Sequence, residues 1–501
     1  MTESRLKKGS LGLAMISNMI SVVVSALVSF VISKYLIITA GSVAYSYYPI
    51  ATNFANYFAI IFIAVNALAA RFVMVALLEG NEQEAKEYYS SILLADLFLS
   101  ALVSAVLAVF VFNVEHILDI PAEIVPQVRS LFLWILLTVV VNALTNVFGI
   151  SIYAKNRMDV RAVIDLAISI SKLIFFLYFM YTGRLTIVSY GFVLFMATVI
   201  HLALNMLAAR VLLPDFHFDY RLFSMPKIRT LTQSGFWMMV NHAGLMLINN
   251  AQLIIANIFL GADSSAPLSL VQPLYQFGSL FFFAIEVVLQ PLIVKILISR
   301  EGDVSGKILY LQEIIVMSVV IPCTLLMGFG GSFFHLWLPG EDHTVLYVLS
   351  WLNMSQLLWT YMSTLYTSSM TALNKIKVPS IAMVLFGCLG LFTIFLTLRY
   401  TSLGLIGILL ANNLTYILYY VVFLPWYAGK QMEGIHTHLP VLVLLTVLFA
   451  VLNTIAGRIL IPAGYLSLFG FCVPLCMLGW AVVMLLTRTH PRKLIRFFAE
   501  R

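Results

Sequence analysis

Long uninterrupted apolar runs constrain this chain more than any motif does. A helix needs about 20 apolar residues to cross a hydrocarbon core about 30 Å thick. Fourteen such runs lie near positions 11–33, 45–78, 91–113, 130–153, 162–182, 187–210, 234–260, 269–298, 308–331, 346–372, 380–398, 404–424, 439–458 and 466–487. Their apolar character is continuous rather than alternating, which indicates helices and not a membrane barrel. The sequence therefore predicts an all-α polytopic membrane protein with about fourteen transmembrane helices.

The composition excludes a water-soluble globule. The chain is 61% apolar and 10% charged, whereas soluble domains are about 45–50% apolar and about 25% charged. The first run follows Arg5, Lys7 and Lys8, as a signal peptide would. It is too long for a signal-peptide core and shows no convincing small-residue cleavage site. We expect this run to remain as the first helix.

The basic residues predict the orientation of the chain. If the N-terminus is inside, the inner segments hold 23 of the 29 Lys and Arg residues and the outer segments hold 5. Cytoplasmic loops collect Lys and Arg, so we expect both termini in the cytoplasm. The pI near 9.1 then reflects topology, and no nucleic-acid partner is predicted.

Three pairs of segments repeat at a nearly constant offset. The pairs are 154–160 with 372–378, 80–86 with 301–307, and Gly41 with Gly261, at shifts of 218, 221 and 220. A repeat of six helices is even, so both copies have the same orientation in the membrane. This predicts two lobes related by an axis along the membrane normal, with a cavity between them.

The repeat also defines the predicted domains. Residues 1–220 form an N-terminal six-helix lobe, and residues 221–430 form a C-terminal six-helix lobe. Residues 431–501 hold two additional helices and a basic cytoplasmic tail.

With these features the sequence resembles the multidrug/oligosaccharidyl-lipid/polysaccharide flippase superfamily over essentially its whole length. The most family-like stretches are 154–160 (Ala-Lys-Asn-Arg-Met-Asp-Val) and 71–86, where a base precedes Glu-Gly-Asn-Glu-Gln-Glu-Ala-Lys. Within the superfamily it is most similar to exporters of lipid-linked oligosaccharide repeat units. The resemblance implies a flippase, not an enzyme, in the bacterial plasma membrane. Such a protein moves polyprenyl-diphosphate-linked glycans from the inner to the outer leaflet by alternating access, for envelope polysaccharide synthesis.

The resemblance also implies partners and a mode of coupling. The partners would be the lipid-linked glycan, membrane lipids, and a polysaccharide polymerase and glycosyltransferases that act on the same glycan. No cofactor is expected, although H⁺ or Na⁺ could couple transport.

An ionisable residue inside an apolar run is a candidate for function, because a charge at the bilayer centre costs at least about 2.5–3.5 kcal/mol. Lys172 lies deep in the fifth run, seven residues after Asp165, on the same helix face. Lys172 could face the cavity and bind the substrate diphosphate, with Asp165 tuning the site. Alternatively, each residue pairs with a neighbouring helix and only holds the lobe together.

Other charged candidates lie nearer the helix ends. Arg71 and Lys295 could receive the diphosphate at the cytoplasmic mouth, or they could extend to the lipid headgroups. The same alternatives apply to Lys34, at the outer end of the first helix. Glu286 in the eighth run could carry a coupling ion, or it could hydrogen-bond across helices.

Amide side chains supply candidates for sugar recognition. Asn142 and Asn146 lie one turn apart in the fourth run, and the unusually polar seventh run contains Asn249, Asn250 and Gln252. Amides both donate and accept hydrogen bonds, which suits sugar hydroxyls. They also hold helices together in membranes, so both roles stay open. The His residues show no zinc spacing and no Ser/His/Asp constellation is visible, so neither a metal site nor catalysis is predicted.

Three alternative functions compete with this one. An ion-coupled multidrug exporter of cations shares the fold, but it should carry an acidic residue in its first helix, and this chain has none. A flippase of peptidoglycan precursors shares the chemistry, but the arginine-rich pattern in the first two helices is missing. A structural scaffold would not need polar residues so deep in its helices. The mixed-to-basic membrane segments favour an anionic substrate.

Overall fold

The computed structural model describes residue 21 and residues 23–155, 157–216, 219–299, 304–432 and 439–487. The side chains at 280, 281, 283–292, 294, 295, 298, 299, 305 and 309 are outside this description. Across the described ranges the chain is helical and contains no strand. The predicted all-α fold is confirmed.

The helices of the first half follow the predicted runs. They are α1 (Val23–Ala40), α2 (Ser42–Asn66), α3 (Ala69–Leu78), α4 (Glu82–Phe112), α5 (Val114–Ile117), α6 (Val125–Ala154), α7 (Met158–Tyr181), α8 (Ile187–Leu212), α9 (Met225–Asn249) and α10 (Ala251–Leu260). Short 3₁₀ turns, Ala122–Ile124 and Tyr220–Leu222, precede α6 and α9. The predicted first run near 11–33 lies partly outside the described residues.

The second half continues in the same way. Its helices are α11 (Ala262–Ser299), α12 (Val304–Ile315), α13 (Ile321–Gly328), α14 (Gly330–Trp337), α15 (His343–Met362), α16 (Thr364–Ala372), α17 (Lys377–Tyr400), α18 (Gly404–Tyr416), α19 (Leu424–Gln431), α20 (Leu439–Ile459) and α21 (Tyr465–Thr487). Two π-helical segments, Val316–Val320 and Ile417–Phe423, join α12 to α13 and α18 to α19.

Within the described ranges, twelve helices or helix pairs are long and apolar enough to cross a membrane. The predicted runs near 269–298 and 346–372 form α11 and the pair α15–α16, which are not among the twelve. The chain is therefore a multi-pass membrane protein, and the count of fourteen stays a prediction.

Helix boundaries recur at the offset of the sequence repeat. Helices α2 and α11 begin at Ser42 and Ala262, 220 residues apart, and each follows a glycine with a φ of 86°. These glycines are Gly41 and Gly261, and a positive φ favours glycine because it has no Cβ. Helices α7 and α17 likewise begin 219 residues apart. These two helix starts therefore recur at the offset of the sequence repeat.

Contacts between residues divide the chain into two compact units. The first comprises Met1–Ser269 with Ser380–Leu391, and the second comprises Leu270–Pro379 with Phe392–Arg501. This division places α9 and α10 in the first unit. The predicted lobes, with their boundary after residue 220, are defined by the sequence repeat and stay a prediction.

Within the first unit, α2 crosses α9 at close range. A Cβ atom added at Gly235 of α9 would collide with the carbonyl oxygen of Ala64 in α2. The hydroxyl of Tyr57 donates a hydrogen bond to the carbonyl of Met246 at 2.9 Å across the same pair of helices. Small residues allow helix backbones to approach in membranes, so this glycine sets the distance between α2 and α9.

Within the second unit, α20 packs backbone to backbone on α13. A Cβ atom at Gly457 would collide with the carbonyl oxygen of Gly328, and one at Gly328 would collide with that of Asn453. The Asn453 amide also donates a hydrogen bond to the Thr324 hydroxyl at 3.0 Å. The first of the two additional helices is thus joined tightly to α13.

The second additional helix, α21, contacts the π-helical segment before α13. The indole of Trp480 donates a hydrogen bond to the carbonyl of Met317 at 2.6 Å. A π-helical segment disturbs the regular ladder of backbone hydrogen bonds, and a membrane interior offers no water to replace them. Helix α21 therefore satisfies a backbone group that this irregular segment exposes.

We expect Gly457→Ala to destabilise the protein, because its new methyl group has no room beside Gly328. Overpacking of this kind typically costs about 1–3 kcal/mol. Gly470→Ala is the matched control, since nothing lies within 4 Å of its added Cβ, and glycine in a helix interior is less favourable than alanine by about 1 kcal/mol. Thermal unfolding in detergent should show a lower Tm for Gly457→Ala only. Equal Tm values would contradict the close packing of α13 and α20.

Candidate functional site

The first unit contains a cavity of about 710 Å³ between α2, α3 and α6. The lining residues are Asn56, Ala59, Phe62, Ile63, Asn66, Ala67, Ala69, Ala70, Arg71, Val139, Asn142, Ala143, Asn146, Ile150 and Tyr153. Four amides, one guanidinium and one phenol supply its polar side chains, and no carboxylate lines it among the residues that the structure describes. Ligand cavities are about 300–1,000 Å³ with a few convergent polar groups, so this one is suited to a ligand.

One face of α6 forms a wall of the cavity. Its lining positions run from Val139 to Tyr153 at spacings of three and four residues, apart from the adjacent pair Asn142 and Ala143, which is the pattern of a single helix face. Asn142 and Asn146 are exposed on this face, and no hydrogen bond of either side chain occurs among the described residues. The structure thus places both predicted amides where a ligand could reach them.

The opposite wall contains an interruption between two helices. Helix α2 ends at Asn66 and α3 begins at Ala69, with Leu68 at a φ of −120° and a ψ of 6°. The sequence has no proline or glycine here, and the Asn66 amide donates to both carboxylate oxygens of Asp96, at 3.0 and 2.8 Å. Irregular backbone at membrane depth is tolerated where it is buried in protein or lines a cavity. Discontinuous helices also form the binding sites of many transporters.

Arg71 lines the cavity just after this interruption. Its side chain is exposed, and no ion pair or hydrogen bond of its guanidinium is found within the described part of the chain. Arg71 lies seven residues before Leu78, where α3 ends, about 10 Å from the end that the charge distribution predicts to be cytoplasmic. The predicted cation and the two amides of α6 therefore share one cavity.

Lys172 lies on α7 and does not line the cavity. Five exposed apolar side chains of this helix, Val163, Ile170, Ile174, Leu177 and Tyr181, form one stripe, and the exposed Tyr178 lies beside it. At about 100° per residue, Lys172 lies on the opposite side of the helix from this stripe. The residue as a whole is half-buried, and the described residues include no ion pair with its amine. Lys172 is therefore directed away from the face that contacts lipid.

Asp165 lies on the same side of α7 as Lys172 and pairs with its own helix. Its carboxylate is 3.6 Å from the Arg161 guanidinium. That guanidinium also stacks over the ring of Tyr153, 5.0 Å from its centroid, and Tyr153 lines the cavity. His201 of α8 interacts electrostatically with Asp165, Lys172 and Arg161. These contacts connect the cavity wall to the charged side of α7.

The remaining predicted site residues lie elsewhere. Lys34 is half-buried on α1, and Asn249, Asn250 and Gln252 lie where α9 gives way to α10. None of them lines the cavity. The carbonyl of Asn250 accepts a hydrogen bond from the Asn53 amide at 3.3 Å, which joins α2 to this interruption. Glu286 and Lys295 belong to α11, and their side chains lie outside the described residues.

Sequence reasoning missed three polar residues of the cavity. Asn56, Asn66 and Tyr153 were not among the candidates, although each lines it. The signal was present for the asparagines, because two amides within one apolar run require partners or water. Tyr153 gave no such signal, because a tyrosine near a helix end is usually interfacial.

Comparison with known proteins supports the fold. No family model matches the sequence. A curated Bacillus subtilis (strain 168) protein, "Uncharacterized membrane protein EpsK", is 25% identical over 421 residues, which cover 83% of this chain and 82% of that protein.

Solved structures of transporters share the architecture. An inward-facing multidrug resistance MATE family transporter of the MOP superfamily matches with a TM-score of 0.67 at 13% identity, over 84% of this chain and 100% of that one. The lipid II flippase MurJ in an inward closed conformation matches with a TM-score of 0.67 at 15% identity, over 97% and 100%. A Vibrio cholerae MATE transporter matches with a TM-score of 0.60 at 15% identity, over 86% and 98%. The chain therefore has the fold of these transporters and flippases, and they are not enzymes.

Accessibility to water tests the cavity. We replace the four native cysteines, all unpaired, and introduce Asn146→Cys or Leu133→Cys. The two positions lie eight residues from opposite ends of α6, but Asn146 lines the cavity and Leu133 is an exposed apolar residue outside it. A thiol must ionise in water to react with a maleimide. We expect a water-soluble maleimide to label Asn146→Cys at least about tenfold faster than Leu133→Cys, and equal rates would contradict a wet cavity.

Proposed function

We propose that this protein flips polyprenyl-diphosphate-linked oligosaccharide repeat units from the inner to the outer leaflet of the bacterial plasma membrane. The transport serves envelope polysaccharide synthesis and proceeds by alternating access. Both termini lie in the cytoplasm, as the basic residues predict.

The lining of the cavity carries this proposal. Among the described residues, its one charged side chain is Arg71 and its other polar groups are neutral. Arginine presents a planar fork of donors that matches phosphate oxygens, and such charge-assisted bonds are stronger than neutral ones. A described lining with one cation and no carboxylate favours an anionic ligand.

The amides suit the glycan part of the same ligand. Asn56 faces the cavity from α2, while Asn142 and Asn146 face it from α6. Each amide both donates and accepts, so together they can satisfy sugar hydroxyls in several arrangements. This tolerance fits a carrier of repeat units whose sugars present hydroxyls in many directions.

The predicted cations take different parts in the proposal. Arg71 receives the diphosphate at the cytoplasmic mouth of the cavity. Lys172, directed away from the lipid face of α7, is a second contact for the diphosphate during transport, and Asp165 and Arg161 tune its charge. Lys34 and Lys295 are proposed to hold the diphosphate near the ends of their helices. Glu286 is proposed to take part in coupling.

The comparisons support a substrate of this class. The lipid II flippase MurJ, whose structure matches 97% of this chain with a TM-score of 0.67, acts on a lipid. We propose that a polysaccharide polymerase and glycosyltransferases act before and after this transporter on the same glycan.

A cation exporter is the second candidate. The MATE transporters share the fold, and the buried carboxyl of Asp96 lies directly behind Asn66 in the cavity wall. A cationic drug could use that carboxyl if Asn66 moved aside. The two functions differ in the charge of the ligand, which is negative for the lipid-linked glycan and positive for the drug.

Substitution of Arg71 tests the role of the cavity cation. Loss of a hydrogen-bonded charge contact costs about 1.5–3 kcal/mol, so we expect Arg71→Ala to lower export of the lipid-linked glycan by about 10- to 100-fold. Arg71→Lys should retain part of the activity, because it keeps the charge but loses the planar fork. Arg184→Ala, at an exposed cation in the loop between α7 and α8, is the control. Wild-type export by Arg71→Ala at normal protein levels would remove Arg71 from the mechanism.

Deletion of the protein distinguishes the two candidate functions. We expect lipid-linked glycan to accumulate in the inner leaflet while sensitivity to cationic dyes stays unchanged. Fractionation of the labelled lipid and growth in the presence of dye measure the two outcomes. Increased dye sensitivity with normal surface polysaccharide would instead establish the cation exporter.

A further inference from the structure

Asp96 is a buried carboxyl whose hydrogen bonds come from one neutral side chain. Its exposed fraction is 0%, and it lies on α4, within a membrane-spanning helix. Within the described ranges its carboxylate accepts hydrogen bonds only from the Asn66 amide nitrogen, at 3.0 and 2.8 Å. Burial of an ionised carboxylate without a cation is costly, and binding of a proton removes that cost.

The surrounding helices supply no cation to Asp96. Helices α2, α3, α6 and α9 and the turn Tyr220–Leu222 pack on α4. Helix α2 carries no charged residue, and the titratable basic groups of the others are Arg71, Arg129, Arg221, Lys227, Arg229 and His242. None of these groups hydrogen-bonds or pairs with Asp96 across the described residues, and Lys227 pairs with Glu84 instead. The phenol of Tyr57, on α2, donates to Met246, so Asn66 alone compensates the carboxyl.

One of the two polar atoms of the Asn66 side chain lacks a hydrogen-bond partner within the described chain. Its amide nitrogen donates to both oxygens of Asp96, while its own oxygen Oδ1 is buried and has no hydrogen-bond partner in the described chain. An ionised carboxylate can only accept, whereas a protonated carboxyl also has one donor. After proton uptake, the new O–H of Asp96 can donate to Oδ1 while the amide nitrogen donates to the other carboxyl oxygen. Protonation therefore supplies the one donor that Asn66 lacks.

Asn66 connects this pair to the cavity. It is the last residue of α2, it lines the cavity, and Arg71 lies five residues later on α3. A change in the orientation of the Asn66 amide therefore occurs at the interruption that positions Arg71. The Asn66 side chain therefore contacts Asp96 while the same residue lines the cavity.

We propose that Asp96 is a proton-binding site, and that its proton occupancy sets the orientation of Asn66 and thereby the geometry of the cavity at the α2–α3 interruption. The carboxylate takes one proton from cavity water, one O–H to Oδ1 hydrogen bond forms, and one of the two bonds from the amide nitrogen is released. The proton site stands on the geometry alone. Its role in transport rests on the proposed function.

Infrared difference spectroscopy on the purified full-length protein tests the proton site without any substrate. Spectra are recorded between about pH 5 and pH 9 for wild type, Asp96→Asn and the control Asp165→Asn. We expect wild type and Asp165→Asn to share a carboxylic-acid carbonyl band that decreases as the pH rises, and Asp96→Asn to lack it. A carboxylate band alone over the whole range, or an acid band that never titrates, would overturn the proposal.

A second measurement tests the connection to the cavity. In the cysteine-replaced background, maleimide labelling of Asn146→Cys should depend on pH beyond the titration of a free thiol, by about threefold or more. This excess should vanish when Asp96→Asn is added, because an amide cannot exchange the proton. An excess that persists in the double variant would disprove the coupling between Asp96 and the cavity. A titrating acid band together with failed glycan export would refute the proposed function and leave the proton site in place.

Discussion

A buried polar group in a bilayer must find its hydrogen-bond partner inside the protein. This constraint determines where the helices of the first unit can be interrupted and where its polar side chains collect. Hydrocarbon offers no hydrogen bonds, so regular helices satisfy the backbone wherever the chain contacts lipid. The interruption between α2 and α3 departs from this rule, and it occurs where Asn66 bonds Asp96 and where the helices line a cavity. The irregular backbone and the concentration of polar side chains are therefore two aspects of one site.

The absence of water in the bilayer also makes close helix packing important, both for the stability of the protein and for the shape of the cavity. Glycines such as Gly235 let α9 approach the backbone of α2, and in the second unit the two additional helices close on α13 and the π-helical segment before it. Close backbone packing replaces the hydrophobic driving force that lipid weakens between helices. In the first unit, the close approach of α9 to α2 stabilises the helix that ends at the interruption, where a change in a single hydrogen bond at Asn66 can alter the cavity.

The sequence predicted the fold well because its determinant is local. Runs of apolar residues long enough to span a bilayer need no knowledge of distant contacts, and the Gly41 and Gly261 match reappears as two helix starts with the same backbone angle. The site was predicted less completely. Asn142, Asn146 and Arg71 proved to share one cavity, but Asn66 depends on a tertiary bond to Asp96 that no spacing reveals. Lys172 was singled out by its depth, yet depth alone does not say which cavity a side chain faces.

In the proposed function, the cavity holds a phosphorylated carrier through Arg71 and its glycan through amides. The most direct measurement is binding by the purified protein of one oligosaccharide carried on a polyprenyl diphosphate or on an uncharged polyprenol. We predict that the diphosphate form binds at least about tenfold more tightly, since a charge-assisted contact is worth about 1.5–3 kcal/mol, and that Arg71→Ala reduces the difference. Equal binding of the two carriers by the wild type would contradict the account.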